Sequence, residues 1–349
     1  MALAIPRTVP RLVALVTAAL LIAALVAVGA WRSPALAQSA AQTWEIQVGL
    51  TNQQTGAEVH AFGPNPITIR VGDTVSWKFA SFHTVTFNAF KPDLPVFVPG
   101  PGPGEFMAGA GVFPAGPASG SSYDGSVQAS SGAPLQGPPD QFGYSLKFTK
   151  AGMFGYVCTI HPGMRGEIQV VDATSALPET VAASKARGQA TLAALAGKAS
   201  TAKTHAAGPE HLRPAAANAG TTTVFVGVAD PYGASFLGFV NGDVTVPRGG
   251  EVAWVWADPF EIHTVTFLSG AQPPAFIIPR PQPAGPPVLV INPDVLMPSG
   301  GSTYTGQGVM NSGILEAPGL FVARFDAPAG KYEYICATHQ FMKGSVTVT

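Results

Sequence analysis

The sequence predicts an all-β protein built from two tandem domains of the β-sandwich or barrel type. Its 349 residues suit two domains of ordinary size better than one. Only 11% of the residues are charged, while 40 glycines and 33 prolines indicate many turns. Short segments of alternating polar and apolar residues recur through both halves of the chain. Many short strands separated by glycine and proline are typical of an all-β sandwich.

Each half contains five alternating segments that we predict to be strands. In the first half these are residues 67–71, 74–79, 144–148, 154–157 and 167–171. In the second half they are residues 244–246, 251–256, 320–325, 332–335 and 345–348. Gly-Asp, Ala-Gly or Gly-Gly turns separate them.

The two halves are related by an internal repeat. The segment Ile67-Thr-Ile-Arg-Val-Gly-Asp-Thr-Val-Ser-Trp77 corresponds to Val244-Thr-Val-Pro-Arg-Gly-Gly-Glu-Val-Ala-Trp254. A repeat of this length indicates duplication of a whole domain. We predict domains over residues 45–172 and 221–349.

An alanine-rich linker, residues 173–220, joins the two predicted domains. Residues 179–199 have the composition of a modest helix, although Gly188 and Gly197 weaken it. Pro178 precedes this segment, and Pro209 and Pro214 follow it. We therefore expect a partly helical, partly ordered linker.

Both domains carry a long insertion rich in glycine, proline and serine, residues 89–141 and 268–316. Loops of this length are uncommon in compact domains. Ser122-Tyr123-Asp-Gly in the first insertion resembles Thr303-Tyr304-Thr-Gly in the second, so the insertions share the duplication. A surface for a partner and a solvated decoration are both compatible with this composition.

The first 37 residues have the pattern of an export signal. Arg7 and Arg11 precede the uncharged residues 12–31, and Ala35-Leu36-Ala37 resembles a signal-peptidase site. Retention of residues 12–31 as a membrane anchor is the alternative, because the apolar run is long for a signal peptide. Either interpretation predicts an extracytoplasmic protein, which is periplasmic, secreted or anchored on the outer face of a membrane.

A cassette of metal-binding residue types occurs twice. It reads Cys158-Thr-Ile-His161-Pro-Gly-Met164 and Cys336-Ala-Thr-His339-Gln-Phe-Met342. Each copy has an upstream histidine within the pentapeptide His-Thr-Val-Thr-Phe. One thiolate, two imidazoles and one thioether are the ligand set of a type 1 (blue) copper site. The predicted ligands are His83, Cys158, His161 and Met164 for one copper, and His263, Cys336, His339 and Met342 for the other.

Other interpretations of the cassette explain less. Zinc commonly binds two cysteines and two histidines, but each domain has one cysteine, and zinc leaves the methionines unexplained. A disulfide is the usual role of two cysteines in an exported protein. A bridge between Cys158 and Cys336 would join equivalent positions of two domains, which requires an unusual geometry.

The cassette and its flanking strands resemble the cupredoxins, the plastocyanin/azurin family of blue-copper proteins. The stretch Tyr156-Val-Cys-Thr-Ile-His-Pro-Gly-Met-Arg-Gly166 carries this resemblance, and its short loop is most similar to that of amicyanin. The resemblance implies Greek-key β-sandwich domains that bind copper and transfer electrons. It also implies that His161 and His339 lie near an apolar surface, with Pro162, Gly163 and Phe341 beside them.

One residue in each half departs from the family pattern. The residue after the first histidine is often Asn or Ser, which ties the two ligand loops together. Here it is Thr84 or Thr264, whose hydroxyl has the chemistry for the same role at a different reach. Such contacts tune the redox potential of a metal site.

The remaining histidines argue against a copper enzyme. A multicopper oxidase or copper nitrite reductase needs histidines for a second copper centre, as His-x-His pairs or directly before the cysteine ligand. Val157 and Ile335 precede the cysteines, and only His60, His205 and His211 are unassigned. The sequence therefore predicts a protein that is not an enzyme.

Two binding functions remain. The prediction is an exported electron-transfer protein with two type 1 coppers and redox partner proteins that the sequence does not identify. A periplasmic or extracellular protein for copper storage, delivery or resistance is the alternative, although no methionine-rich or histidine-rich tract is present. A net charge of −1 and the absence of a basic run indicate no nucleic-acid partner.

Overall fold

The computed structural model describes residues 40–88, 95–102, 104–135, 137–161, 163–208, 221–284 and 287–349. The predicted export segment, the end of the linker with His211, and Pro162 lie outside these residues. Residues 41–349 form one compact unit. Among the helices that the structure describes, none is long and apolar enough to cross a membrane.

The first half of the compact unit is a two-sheet sandwich. Its strands are β1 (Thr43–Asn52), β2 (Ala57–Gly63), β3 (Ile67–Arg70), β4 (Thr74–Phe79), β5 (Thr86–Phe87), β6 (Phe97–Pro99), β7 (Phe106–Ala108), β8 (Pro114–Ala115), β9 (Ser121–Tyr123), β10 (Ala129–Ser131), β11 (Gly143–Phe148), β12 (Gly152–Val157) and β13 (Arg165–Val171). One sheet has the order β2-β1-β4-β11-β9 and the other β3-β13-β12-β5-β10-β8. Neighbours that are distant in the sequence require the crossover connections of a Greek key.

The second half repeats this arrangement after a long helix. Its elements are α1 (Val181–Ala206), β14 (Thr222–Asp230), β15 (Ala234–Val240), β16 (Asp243–Val246), β17 (Glu251–Ala257), β18 (Thr266–Phe267), β19 (Ile277–Arg280), β20 (Val288–Ile291), α2 (Pro293–Leu296), β21 (Thr303–Tyr304), β22 (Met310–Asn311), β23 (Gly319–Phe325), β24 (Gly330–Ile335) and β25 (Lys343–Val348). Its sheets have the orders β21-β23-β17-β14-β15 and β16-β25-β24-β18-β22. The all-β fold class is confirmed, and each predicted strand matches an observed one to within two residues at either end.

A buried tryptophan stands at the centre of each sandwich. Trp77 packs edge-on against Phe87 and Tyr156, with ring centroids 5.6 Å apart in both pairs. Trp254 packs in the same way against Phe267 and Tyr334, at 5.9 and 5.4 Å. These residues come from opposing sheets, so burial of their large apolar surface holds the two sheets of each half together.

The two halves share a continuous sheet. Strand β2 of the first half pairs antiparallel with β15 of the second, with Ala57 opposite Phe236 and Val59 opposite Ala234. This pairing joins one sheet of each half into a ten-stranded sheet. We call the β2–β15 pairing the seam. Each half thereby satisfies the edge hydrogen bonds of the other.

The long insertions also join the halves. Strands β6 and β7 of the first insertion and β19 and β20 of the second form a four-stranded sheet, in which Met107 lies opposite Val290. Glu105 and Arg280 form an ion pair between the two insertions. These parts of the insertions therefore pack against each other and are not separate solvated decorations.

Helix α1 lies across the seam and contacts β1, β2, β14 and β15. It begins after Thr180, whose side chain accepts a hydrogen bond from the Ala183 N–H, and extends beyond the predicted residues 179–199. Within α1, the side chains of Leu192 and Ala199 are buried. At Gly188 the helix approaches the Gly63-Pro64 backbone so closely that an added Cβ would lie 2.3 Å from the Pro64 nitrogen.

The two glycines of α1 give a matched test of this packing. We expect Gly197→Ala to raise the free energy of unfolding by up to about 1 kcal/mol. Nothing lies within 4 Å of the added Cβ, and alanine has a higher helix propensity than glycine. Gly188→Ala makes the same change in propensity, but we expect it to lower stability by about 1–3 kcal/mol through overpacking. Denaturant titration of the mature protein measures both. Equal stabilisation by the two substitutions would contradict the close approach.

Candidate metal centres

A β-bulge in each half makes room for the first predicted histidine ligand. The β1 ladder shifts register at Gly49 and the β14 ladder at Gly227, where φ is +71° and +61°. A Cβ at Gly49 would lie 2.3 Å from His83 Nε2, and one at Gly227 would lie 2.4 Å from His263 Nε2. Only glycine combines this backbone conformation with this approach to an imidazole. Both imidazoles are fully buried.

The cassette of the first half is a tight loop between β12 and β13. The Cys158 N–H donates to the Met164 carbonyl at 3.0 Å, and the Met164 N–H donates to the His161 carbonyl at 3.2 Å. These two bonds close the loop on itself. The side chains of Cys158, His161 and Met164 are all buried.

The cassette of the second half, between β24 and β25, closes in the same way. The Cys336 N–H donates to the Met342 carbonyl at 3.2 Å, and the Met342 N–H donates to the His339 carbonyl at 2.8 Å. The repeated backbone bonds show that both loops hold a cysteine, a histidine and a methionine in the same arrangement.

The first candidate centre brings a thiol and two imidazoles together. Cys158 Sγ lies 3.8 Å from His83 Nδ1 and 3.6 Å from His161 Nδ1. The two Nδ1 atoms are 2.7 Å apart. Three donor atoms from two separate loops therefore converge on one small buried space.

The second candidate centre has the same geometry. Cys336 Sγ lies 3.8 Å from His263 Nδ1 and 3.9 Å from His339 Nδ1, and the two Nδ1 atoms are 3.2 Å apart. One contact is particular to this centre. The Thr338 hydroxyl lies 2.9 Å from Cys336 Sγ, at a position that Ile160 occupies in the first half.

The threonines after the first histidines tie the ligand loops together. The Thr84 hydroxyl accepts from the Thr159 N–H at 2.8 Å, and the Thr264 hydroxyl accepts from the Ala337 N–H at 2.7 Å. The same threonines point their own N–H groups at the cysteine sulfurs, at 3.4 and 3.3 Å. The tie expected from the sequence is confirmed in both halves.

Both cysteines are buried and free, so the disulfide alternative is wrong. Burial alone would raise the pKa of the Cys158 thiol, but the adjacent His161 and His83 imidazoles hold that pKa well below its ordinary value. The pKa of Cys336 is likewise held well below its ordinary value, against burial, by its two neighbouring imidazoles. The reactive, metal-binding form of a cysteine is the thiolate, and each site favours it.

Every imidazole of the two centres has a carboxylate behind it. Glu58 Oε1 lies 3.5 Å from His83 Nε2, and Asp258 Oδ2 lies 3.9 Å from His263 Nε2. Both contacts are longer than a good hydrogen bond, and neither His83 Nε2 nor His263 Nε2 has a hydrogen-bond partner among the described residues. The nearby negative charge still favours the tautomer with its proton on Nε2. A proton on Nε2 leaves a lone pair on Nδ1, the atom that faces the cysteine.

One carboxylate serves both centres. Glu261 Oε1 lies 3.1 Å from His161 Nε2, and Glu261 Oε2 lies 3.5 Å from His339 Nε2. Burial would raise the pKa of Glu261, but the adjacent imidazoles, His161 above all, hold that pKa well below its ordinary value. The Glu261 side chain is largely buried between the two halves.

His60, unassigned from the sequence, also reaches this cluster. Its ring centroid is 4.5 Å from that of His161, and its Nε2 lies 3.1 Å from the Ser235 hydroxyl across the seam. His60, His83 and His161 bring ring nitrogens within 4.8 Å of one another and form an alternative ligand group. The set that contains Cys158 with His83 and His161 matches the second half more closely. There the corresponding group is His263, Cys336 and His339.

The apolar opening expected at His161 is absent from the described residues. His161 is only 5% exposed, because the second half covers it. A cavity of about 650 Å³ lies between the halves, and both His161 and His339 line it. Ile160, Phe260 and Phe341 contribute apolar walls to this cavity. The imidazole edges that were expected at an outer surface therefore face each other.

Three carboxylates were missed in the sequence. Glu58 and His60 stand in the buried strand Ala57–Gly63, and ionisable residues in an otherwise apolar strand were the available signal. Asp258 and Glu261 lie in the loop before His263 and match no acid in the first half, where Ser81 precedes His83 as Glu261 precedes His263. Comparison of the two repeats could not reveal Asp258 and Glu261, because the first half has no acid at the corresponding positions.

The donor set fits copper. Two Nδ1 lone pairs that face each other repel unless a cation or proton lies between them, and a thiolate beside them adds negative charge. A soft sulfur ligand with two imidazoles and a methionine from the same loop is the set expected for a blue-copper site. The bonded loops and the carboxylates behind the rings hold these donors in place without metal.

No family model matches this chain, and no curated protein matches it. Among solved structures, a Cu(I) form of an amicyanin variant is 16% identical, over 39% of this chain and 88% of that chain, with a TM-score of 0.24. An oxidised amicyanin variant is 19% identical, with the same coverage and TM-score. A TM-score this low does not by itself establish a shared fold.

The bulge glycines give a test that separates the two centres. We expect Gly49→Ala to displace His83 and abolish metal binding at the first centre, and Gly227→Ala to do the same at the second. Each also strains the backbone by about 1–2 kcal/mol, because alanine is disfavoured at positive φ. Gly72→Ala is the matched control, since φ is +98° there and nothing lies within 4 Å of the added Cβ. Metal content and unfolding free energy of the three variants check this. Loss of metal in Gly72→Ala would contradict it.

Proposed function

We propose that this protein is an exported electron-transfer protein with two cupredoxin-type domains and one type 1 copper in each. The ligands are His83, Cys158, His161 and Met164 in the first domain, and His263, Cys336, His339 and Met342 in the second. One observation carries the proposal. In both halves a thiol and two Nδ1 atoms converge in a buried space, with a carboxylate behind every imidazole.

Copper supplies a one-electron redox couple at such a site, and the protein supplies rigidity. The threonine hydroxyls bond the two ligand loops together, so the donors keep their positions when the charge changes. The Thr84 and Thr264 N–H groups point at the cysteine sulfurs and stabilise negative charge there. Burial of the donors excludes water, which limits rearrangement around the site.

The same features favour electron transfer over copper storage or delivery. A protein that releases its metal benefits from exposed, exchangeable ligands. Here the cysteines are 5% and 0% exposed, and the loops that carry them are closed by backbone bonds. Such closed sites suit a metal that stays and changes oxidation state. We propose further that the protein acts outside the cytoplasm with redox partner proteins, in keeping with its predicted export segment.

Metal analysis of the mature protein tests the proposal. We expect two copper ions per chain, an intense visible band and a paramagnetic-resonance signal with the narrow copper hyperfine splitting of type 1 sites. Cys158→Ala removes the thiolate of one centre and Cys336→Ala that of the other, so each variant should lose half of the blue absorption. The double variant should lose all of it.

Other results would overturn this assignment. Tight binding of zinc with no blue copper would favour a structural metal site. Loss of both centres in either single variant would contradict two separate sites. A third copper ion with the spectrum of an imidazole-and-oxygen site would favour a copper enzyme, with His60 as the first residue to examine.

The hydroxyl beside Cys336 predicts different potentials for the two centres. The Thr338 hydroxyl has two acceptors for its one proton, the Ile262 carbonyl at 3.0 Å and Cys336 Sγ at 2.9 Å. Donation to the thiolate draws charge from sulfur and favours the reduced centre. We expect Thr338→Val to lower the potential of the second centre by roughly 60 mV, about 1.4 kcal/mol for one electron. Spectroelectrochemical titration measures this. Ile160→Val, at the equivalent position of the first centre, is the control and should move neither potential. An unchanged second potential in Thr338→Val would refute the role of this hydroxyl.

A further inference from the structure

We propose that Glu261 links the two centres into one redox unit, by contacting both His161 and His339 and by providing the route along which an electron passes from one centre to the other. The inference rests on the proposed function, since it requires a redox metal at both sites. It concerns a residue that belongs to neither ligand set.

The contacts form an unbroken chain of side chains. One oxygen of Glu261 faces His161 Nε2 at 3.1 Å, and its other oxygen faces His339 Nε2 at 3.5 Å. On the far side of each ring, Nδ1 lies 3.6 Å from Cys158 Sγ or 3.9 Å from Cys336 Sγ. The chain from one sulfur to the other therefore passes through two imidazoles and one carboxylate, with close contacts at every step.

The arrangement of acids shows that Glu261 differs from the other carboxylates. Glu58 serves His83 alone, and Asp258 serves His263 alone. Two independent centres could each bond their remaining histidine to a separate acceptor. The protein instead has a single acid between them, supplied by the second half, while the first half has Ser81 at the corresponding position. The charge at Glu261 therefore acts on both centres at once.

The seam holds this carboxylate in position. The His60 N–H donates to the Gly233 carbonyl at 2.8 Å, and its ring bonds Ser235. His60 Nε2 also approaches Glu261 Oε1, at 3.8 Å, and its ring packs against Phe260 at a centroid distance of 5.4 Å. The loop that carries Glu261 is thus fixed against the first half by contacts outside both ligand sets.

The electron balance of the step is simple. One electron leaves the reduced centre and enters the oxidised centre, no covalent bond forms or breaks, and no proton leaves the protein. The side chain of His339 is 21% exposed and that of His161 is 6% exposed. The second centre is therefore the more accessible of the two from solvent.

Copper affinity tests the shared carboxylate with one centre present at a time. Loss of a carboxylate behind a metal-binding histidine costs roughly 10- to 100-fold in metal affinity. We expect Glu261→Gln to produce this loss in a Cys336→Ser background, where only the first centre remains, and also in a Cys158→Ser background. Glu58→Gln should weaken only the first centre, and Asp258→Asn only the second. These two variants are the matched controls.

Intramolecular electron transfer tests the route. Pulse radiolysis that delivers less than one electron per fully oxidised, copper-loaded protein should show redistribution between the centres at a rate independent of protein concentration. We expect this phase to be slowed in Glu261→Gln and lost in Glu261→Ala, while Glu316→Gln, at another carboxylate that lines the same cavity, retains it. Circular dichroism of each variant reports whether the fold is intact, and the near-isosteric glutamine variant keeps the test valid if alanine unfolds the protein.

The outcomes separate this inference from the proposed function. If the wild-type protein lacks two blue centres, the proposed function is wrong, and the bridge is wrong with it. If both centres are present but Glu261→Gln weakens only one of them, or leaves the transfer phase unchanged, the bridge alone is wrong. Weakening of both centres together with a slower transfer phase supports it.

Discussion

The structure depends on how the buried imidazoles are held. Each ring must keep one nitrogen free for the thiolate side and bury the other, and a buried N–H without an acceptor is costly. Glu261 lies 3.1 Å from one such nitrogen, while Glu58 and Asp258 approach theirs only to 3.5 and 3.9 Å and leave them without a hydrogen bond. The neighbouring imidazoles help to offset the cost of burying the three acids. The bulges at Gly49 and Gly227 follow from the same constraint, since they clear the space into which two of the rings fit.

The shared carboxylate explains why the halves are joined as they are. Two sandwiches on a flexible linker could not keep one acid between two buried histidines. Here the seam continues one sheet through both halves, the inserted strands form a second link, and α1 covers the junction. Each link orders the halves before any metal binds, so the entropy of bringing Glu261 to His161 is lost during folding and not during function.

Much of the fold could be predicted because strand signals are local. Alternation along residues such as 74–79 and 251–256 depends on one buried face, and the buried pattern there agrees with it except at the small Ala253. The seam strands were harder to predict. Ala234–Val240 is buried at every position, because both faces and the edge of this strand are covered. The alternation of polar and apolar residues that marks a half-exposed strand is therefore missing. Helix α1 was underestimated for a related reason, because Gly188 lowers propensity but permits the close packing that stabilises the helix.

By itself the sequence determined the all-β class, and it predicted an internal repeat and eight candidate ligands, because a ligand cassette is a matter of residue types at close spacing. Only the tertiary structure decided that the two cassettes face each other across Glu261. That contact joins residues from different halves, and the acids involved have no counterparts in the repeat. Long-range juxtaposition depends on which sheet edges pair, and the pairing of β2 with β15 leaves no local pattern in the sequence that predicts it.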